Sequence, residues 1–292
     1  MSPRPVTRAK PTHTWEEAIR TLRNDPRHQE LIFNSYLTDD LRGNCRRFFE
    51  GAEFREVLSL IRSQSPAARR VLDVPGGNGI ATYAFAKSGF EVTAVEPDPS
   101  PSVGRGAIAD VLASEGLRAG IVGAFGEGLP FAGNSFEVVY VRQGLHHARD
   151  LPKMAAEFTR VLRPGGILLA SREHVVDDYA GSLKRFLDSQ PDHQLYGGEN
   201  AFTLADYRKA LMSSGLEVIS EFGPFDTVIN LFPKSPESLR KMILESLPGR
   251  LLRRVLSEDD VASFGLWWIR RMRAPGRLFT FVALKPIPDD RA

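Results

Sequence analysis

The sequence predicts an α/β protein built on a doubly wound sheet. Three observations carry that reading. From residue 71 onward, short apolar runs alternate with helix-length segments. The runs are near-continuous in apolar residues, as strands buried on both faces require. A glycine-rich turn at 75–79 directly follows the first of them, where such sheets bind ligands.

Residues 1–12 read as a loose tail, rich in Pro and Arg and without the apolar stretch of a secretory signal. From Trp15 to about Ser65 the spacing is helical, with Phe54, Val57, Leu58 and Ile61 recurring at i, i+3, i+4 and i+7. Pro66 closes this stretch, because a proline disfavours helix in the residue before it. Strands are expected at 71–74, 90–95, 121–124, 136–141, 167–170 and 216–221, and a last one at 278–284. Helices are expected at 80–88, 106–114, 151–162 and 204–214. The last of these opens on a capping box, Thr203-Leu204-Ala205-Asp206, and ends at Gly215. The span 233–276 reads as two or three further helices. The expected organisation is therefore an N-terminal tail and helical lid at 1–66, a core at 67–232 and 277–292, and a helical insertion at 233–276 that forms part of a lid.

Composition narrows the function classes. Of 292 residues, 42% are apolar and 25% charged, enough for a sizeable core and too many apolar residues for disorder. Lys and Arg (38) nearly balance Asp and Glu (36), which argues against nucleic acid as a partner held by charge. The balance is uneven locally. Residues 233–277 carry ten Lys and Arg against five Asp and Glu, a net of +5. The single cysteine, Cys45, excludes an internal disulfide and a cysteine-based zinc site, and no metal-ligating set is read. No run approaches the ~20 apolar residues of a transmembrane helix. The chain reads as soluble and cytoplasmic.

The sharpest segment is Val71-Leu72-Asp73-Val74-Pro75-Gly76-Gly77-Asn78-Gly79. Glycines there let backbone approach a ligand, and the helix starting near Ile80 offers unpaired N–H groups. Glu96 closes the next strand, 23 residues after Asp73, where a carboxylate accepts both hydroxyls of a ribose. A dinucleotide fingerprint would need a third glycine where Thr82 stands, which tells against NAD.

These residues resemble the class I S-adenosylmethionine-dependent methyltransferases. Asp73 to Gly79 is similar to the family's first motif, Asp-x-Gly-x-Gly-x-Gly, and Glu96 to its ribose-binding acid. Residues 129–139 (Leu-Pro-Phe-Ala-Gly-Asn-Ser-Phe-Glu-Val-Val) are similar to the stretch into the fourth strand. Residues 160–166 (Arg-Val-Leu-Arg-Pro-Gly-Gly) are similar to the turn before the fifth. The resemblance implies a seven-stranded, mostly parallel sheet with the last strand antiparallel, and S-adenosylmethionine as cofactor. Two residues depart from the pattern. Pro75 replaces the first glycine, leaving Asp73, Gly76, Gly77 and Gly79 to hold the methionine end. Phe125 stands where an acid often meets the adenine amino group, so it either packs on the adenine face or in the core, with Glu127 or backbone supplying the polar contact.

The acceptor is expected beyond the carboxyl ends of the strands. Arg142, Gln143, Gly144, His146 and His147 follow the fourth strand, with Arg142 assigned to the cofactor. Arg172, Glu173 and His174 follow the fifth, either facing the acceptor or forming a salt-bridge cluster. His146 or His147 is expected as general base, with His174 next, since imidazole suits that role near neutrality. Either histidine would alternatively brace the following helix. Tyr196, Glu199 and Asn200 lie on a Gly-hinged segment that would either close over the acceptor or run as a surface loop. Val261, Phe264, Trp267 and Trp268 read as core or lid packing. With Arg270, Arg271 and Arg273, they alternatively mark an anionic acceptor or an anionic membrane surface. The leading reading is a methyltransferase acting on a small-molecule or glycan-type acceptor at oxygen. The alternatives are another enzyme chemistry on the same sheet, an RNA methyltransferase, or a cofactor-binding module without catalysis.

Overall fold

The computed structural model describes residues 12–288. Apart from Thr12, the expected tail lies outside the described residues, as do 289–292. Among the described residues, eight strands form one sheet: β1 Arg70–Asp73, β2 Glu91–Val95, β3 Gly120–Val122, β4 Phe136–Arg142, β5 Leu162–Val176, β6 Phe202–Thr203, β7 Glu217–Phe222 and β8 Arg277–Leu284. The order along the sheet is β3-β2-β1-β4-β5-β8-β7, with β6 added beside β5. Strands β1 to β5 pair in parallel, and β8 enters antiparallel between β5 and β7. Seven strands lie on this path, as the resemblance implies. The two-residue β6 is the eighth.

β5 departs most from expectation. It runs fifteen residues, and the Gly-Gly turn expected before it lies inside it as an irregularity. Gly165 takes φ 77° and donates its N–H to the Lys285 carbonyl at 2.8 Å, so a partner from beyond β8 holds a kink that would otherwise be a chain reversal.

Alternation along β4 sorts the core into two layers. Val138 and Tyr140 face the helices Leu41–Glu50, Ala52–Gln64 and Ile80–Lys87, meeting Phe48, Phe54, Val57 and Phe85. Val139 and Val141 face Leu151–Val161 and Leu204–Ser213, meeting Phe158, Tyr207 and Leu211. The segment expected as an N-terminal lid is thus divided. Residues 41–64 are a layer of the sheet, because Phe54, Val57 and Ile61 bury their shared face against it, and Cys45 packs there too.

The insertion forms three helices, Pro236–Glu245, Leu247–Leu252 and Glu258–Arg271, each opened by a serine cap: Ser235, Ser246 and Ser257. Glu258–Arg271 buries only Val261. Phe264, Trp267 and Trp268, expected as packing, are instead about half exposed. Among the described residues, no helix is long and apolar enough to cross a membrane.

Candidate active site

The strand order reverses between β1 and β4, and the crevice beyond those strand ends opens into a cavity of about 1100 Å³. Its first wall is the turn after β1. Gly76 is fixed by its N–H to the Val95 carbonyl at 2.9 Å, and a Cβ there would press on Ile108 at 3.0 Å and Ala94 at 3.2 Å. Gly77 differs. It takes φ 52°, and a Cβ would meet nothing within 4 Å, so its bare backbone borders open space. Gly79 caps the helix Ile80–Lys87 in the left-handed region and packs on Ile108, behind the wall rather than on it.

Two buried carboxylates aim into this wall. Asp73 accepts from Thr82 at 2.6 Å through one oxygen, and its other oxygen is buried without a partner. Burial raises its pKa to about 7, with the nearby Glu96 charge adding to the effect. Glu96 accepts the N–H of Gly77 at 2.8 Å and of Asp98 at 2.9 Å, one on each oxygen. Each oxygen keeps a second lone pair, and Glu96 lines the cavity. Burial lifts Glu96 to about 7 as well, against those two backbone donors. An unpaired buried carboxylate oxygen asks for a cation, and a carboxylate beside open backbone suits a sugar diol, so these residues fit S-adenosylmethionine.

Pro75 also lines the cavity, and its ring presses on the loop after β4. A Cβ on Gly144 would stand 2.3 Å from the proline ring. Phe125 is half exposed at the cavity edge with the Arg149 guanidinium 4.7 Å from its ring centre, so core packing is not its role. Glu127 lines the same edge and accepts the Arg149 N–H at 2.7 Å.

Arg142 reaches the cavity, but its guanidinium turns back to Glu53 at 2.7 and 3.2 Å. Burial alone would lower its pKa, and the Glu53 carboxylate outweighs burial and raises it. Arg172, at φ 61°, donates to the Ile229 and Phe232 carbonyls, and its Nε stands 4.0 Å from the same Glu53. The two arginines are therefore braces for the strand ends around a buried acid, rather than free ligands. Sequence reasoning missed Glu53. Its signal was an acid one helical turn before Val57, on the face that Val57 and Ile61 bury.

The opposite wall gathers the histidines. His146 is buried, and its Nδ1 meets Glu173 Oε2 at 2.8 Å. Glu173 itself does not reach the cavity. It also accepts the N–H groups of Gly144 at 3.0 Å and His146 at 3.0 Å, fixing the loop. His147 Nδ1 lies 3.1 Å from the Gly198 carbonyl. The Nε2 atoms of both histidines face Glu199, at 3.6 Å from His146 and 3.7 Å from His147. The sequence reading named no metal set, yet these three side chains have ligand atoms within 4.8 Å of one another. Burial, with the Asp192 carboxylate beside it and Glu173 beyond, pushes Glu199 well above the usual carboxylate range. Burial drives His146 well below its ordinary value and His174 to about 3. His174 Nδ1 meets the Gly276 carbonyl at 3.0 Å, and its ring stands 4.9 Å from that of His146.

Glu199 follows a helix, Pro191–Tyr196, rather than an open loop. Tyr196 lines the cavity and packs on Trp15 of Trp15–Arg23, with ring centres 5.6 Å apart. Asn200 does not reach the cavity. The roof is built by Trp15–Arg23, Gln29–Asn34 and the 190–199 segment. From 233–276 only Pro233 reaches the wall, so the lid role expected of the insertion falls to those other elements. The reason is local: Leu239 and Ile243 bury against Leu231, whose short helix Val228–Leu231 packs beside β5 and β8, and hold the insertion there.

Residues 72–170 match the family described as a methyltransferase domain. A protein named "Uncharacterized methyltransferase" from Mycobacterium sp. (strain JLS) is 40% identical over 107 residues, 37% of this chain and 40% of that protein. The chain spans less than half the length of the curated relatives it matches, from 40% to 49%. Among solved structures, a geranyl diphosphate methyltransferase in complex with GPP and sinefungin is 16% identical with a TM-score of 0.56, covering 93% of this chain and 98% of that one. The [4+2]-cyclase SpnF is 17% identical with a TM-score of 0.53, covering 80% and 81%. The fold is shared with these solved structures. In this chain the methyltransferase domain is residues 72–170.

Proposed function

We propose that this chain transfers a methyl group from S-adenosylmethionine to a small-molecule or glycan-type acceptor, at oxygen, in the cytoplasm. One observation carries the reading. The unpaired Asp73 oxygen and Glu96 stand on one wall of a cavity whose other wall holds His146, His147, His174 and Glu199. Bound there, the cofactor supplies a methyl on a cationic sulfur. Asp73 would hold its cationic end, Glu96 the ribose hydroxyls, and Phe125 the face of the adenine, with Gly77 leaving the space. His147, the more exposed of the adjacent pair, would take the acceptor hydroxyl's proton at its ring nitrogen, while His146 and His174, which burial keeps neutral and weakly basic, would line the acceptor's path. Holding the oxygen in line with the methyl supplies much of the acceleration.

A second observation bears on the acceptor. Trp267, Trp268, Arg270, Arg271 and Arg273 are all exposed. We read them as meeting an anionic acceptor or the anionic membrane surface that presents it.

Labelled S-adenosylmethionine and an extract of the cells that make the protein test the reading. Label should enter a small-molecule or glycan fraction. Label in RNA would replace this reading with an RNA methyltransferase. Cofactor binding with no labelled product would replace it with a binding module.

A further inference from the structure

We propose that His146, His147 and Glu199 form a binding site for one divalent cation of the zinc, cobalt, manganese or iron kind. The proposal deepens the methyl-transfer reading by giving the acceptor's oxygen a place to bind. With an ion present, His146 and His147 would serve as ligands rather than as bases, and the ion would lower the pKa of the bound hydroxyl so that its proton is lost to water. The sites can be tested apart.

Tautomers come first. Each Nδ1 faces an oxygen, Glu173 Oε2 at 2.8 Å for His146 and the Gly198 carbonyl at 3.1 Å for His147. Both oxygens accept, so each Nδ1 carries the ring proton. Glu173 Oε2 already takes the His146 N–H as well, which keeps it an acceptor. Each Nε2 then presents a lone pair, and both lone pairs point at one carboxylate. Three such atoms facing one another are held by a proton on one of them or by a cation between them.

Distance decides what kind of charge. The Nε2 to carboxylate separations, 3.6 and 3.7 Å, are too long for a shared proton. Ligands about 2.1 Å from an ion at tetrahedral angles stand about 3.4 Å apart. The cluster has the spacing of a coordination shell rather than of a hydrogen bond.

The surroundings agree. A carboxylate behind one ligating imidazole and a carbonyl behind the other is the outer shell that orients histidine ligands. All three residues line the cavity, so an ion held by them keeps a position open toward it, as catalytic metal sites do. Two imidazoles favour a transition ion over magnesium. An acceptor hydroxyl, or an anionic oxygen of the acceptor, fills the open position.

Chelator-treated protein is titrated with Co²⁺, followed by visible absorption, and with Zn²⁺ by calorimetry, with Mg²⁺ alongside. One Co²⁺ or Zn²⁺ per chain is expected, and Mg²⁺ far more weakly. Glu199→Gln and His147→Asn should each weaken Co²⁺ binding at least about tenfold, and Glu173→Gln, which touches no ion, by about 10–100-fold. Adenosylhomocysteine titrated into the same variants reports their folding and should bind as in the parent protein. Less than one ion per chain, or unchanged affinity in Glu199→Gln and His147→Asn, overturns the site. Ion binding without adenosylhomocysteine binding would instead sink the methyl-transfer reading alone.

Discussion

Glu53, on the first turn of the helix Ala52–Gln64, grips Arg142 at the end of β4 through both carboxylate oxygens, at 2.7 and 3.2 Å. Glu53 has no exposed side-chain surface, and Arg172 at β5 approaches the same acid to 4.0 Å. One carboxylate thus ties a layer helix to two strand ends at the floor of the cavity. Glu53→Gln should leave two buried guanidiniums poorly compensated and cost about 3–5 kcal/mol of stability. Urea denaturation measures it. A loss under about 1 kcal/mol would mean that water screens the cluster as it does a surface pair. Adding Arg142→Met to Glu53→Gln should recover part of the loss.

Glu96 is the next test. Its carboxylate is placed for a sugar diol, and a hydrogen bond to a charged group contributes about 1.5–3 kcal/mol. Glu96→Ala should therefore weaken adenosylhomocysteine binding by about 10–100-fold or more in calorimetry, while Glu96→Gln, which still accepts, loses less. Equal affinity in all three proteins would remove the residue from the cofactor site.

The two carboxylates also set a pH dependence. Asp73 and Glu96 both titrate near 7 in the folded chain, well above their ordinary values. The folded state therefore binds more protons than the unfolded state between about pH 4 and 7, and stability of the ligand-free protein falls as pH rises through that window. Cofactor affinity should move the opposite way, rising from pH 6 to 8 as the carboxylates ionise to meet a cation. Thermal melts with and without adenosylhomocysteine, run across this range, give both slopes. A flat ligand-free profile would show that neither group is raised.

The insertion carries a separate prediction. Arg271 lies over the Trp267 ring at 4.1 Å, and Arg270, Arg271 and Arg273 are exposed. Replacing the three arginines together by glutamine should raise the acceptor's KM and weaken sedimentation with anionic vesicles. Adenosylhomocysteine affinity should stay as it was, because none of the three lines the cavity. Loss of cofactor affinity in step with KM would refute an acceptor-side role.

Most strands were readable because unbroken apolar runs have few other folds open to them. β1, β2, β4, β7 and β8 each begin and end within about one residue of expectation. β5 was read only at its centre, 167–170, since Gly165-Gly166 is a turn by local chemistry and is held in the strand by Lys285. That Asp73, Gly77 and Glu96 share one wall of the cavity was legible from their spacing along consecutive elements. Glu53 was not, because a lone acid on a helix reads as solvated until its arginine partners, far away in sequence, are in place. The turn of Arg142 toward Glu53 was hidden for the same reason, whereas Arg172 beside that acid follows the salt-bridge alternative. Trp267 and Trp268 mark a helix face by period alone, and period does not say what the face meets. Pro191 at the first position of the helix Pro191–Tyr196 and Gly197 just after it were usable signals, and that helix is what delivers Glu199 to the histidines.

The contact of Pro75 with Gly144 has a consequence for how this protein can change. With the proline ring in place, position 144 has no room for even a methyl group, so the two loop bases form a single interlocked corner. Diversifying one without the other would jam it. New acceptor preferences are therefore best sought by varying the roof at 190–199 and the helices from Trp15, which border the same chamber and carry no such interlock with the turn.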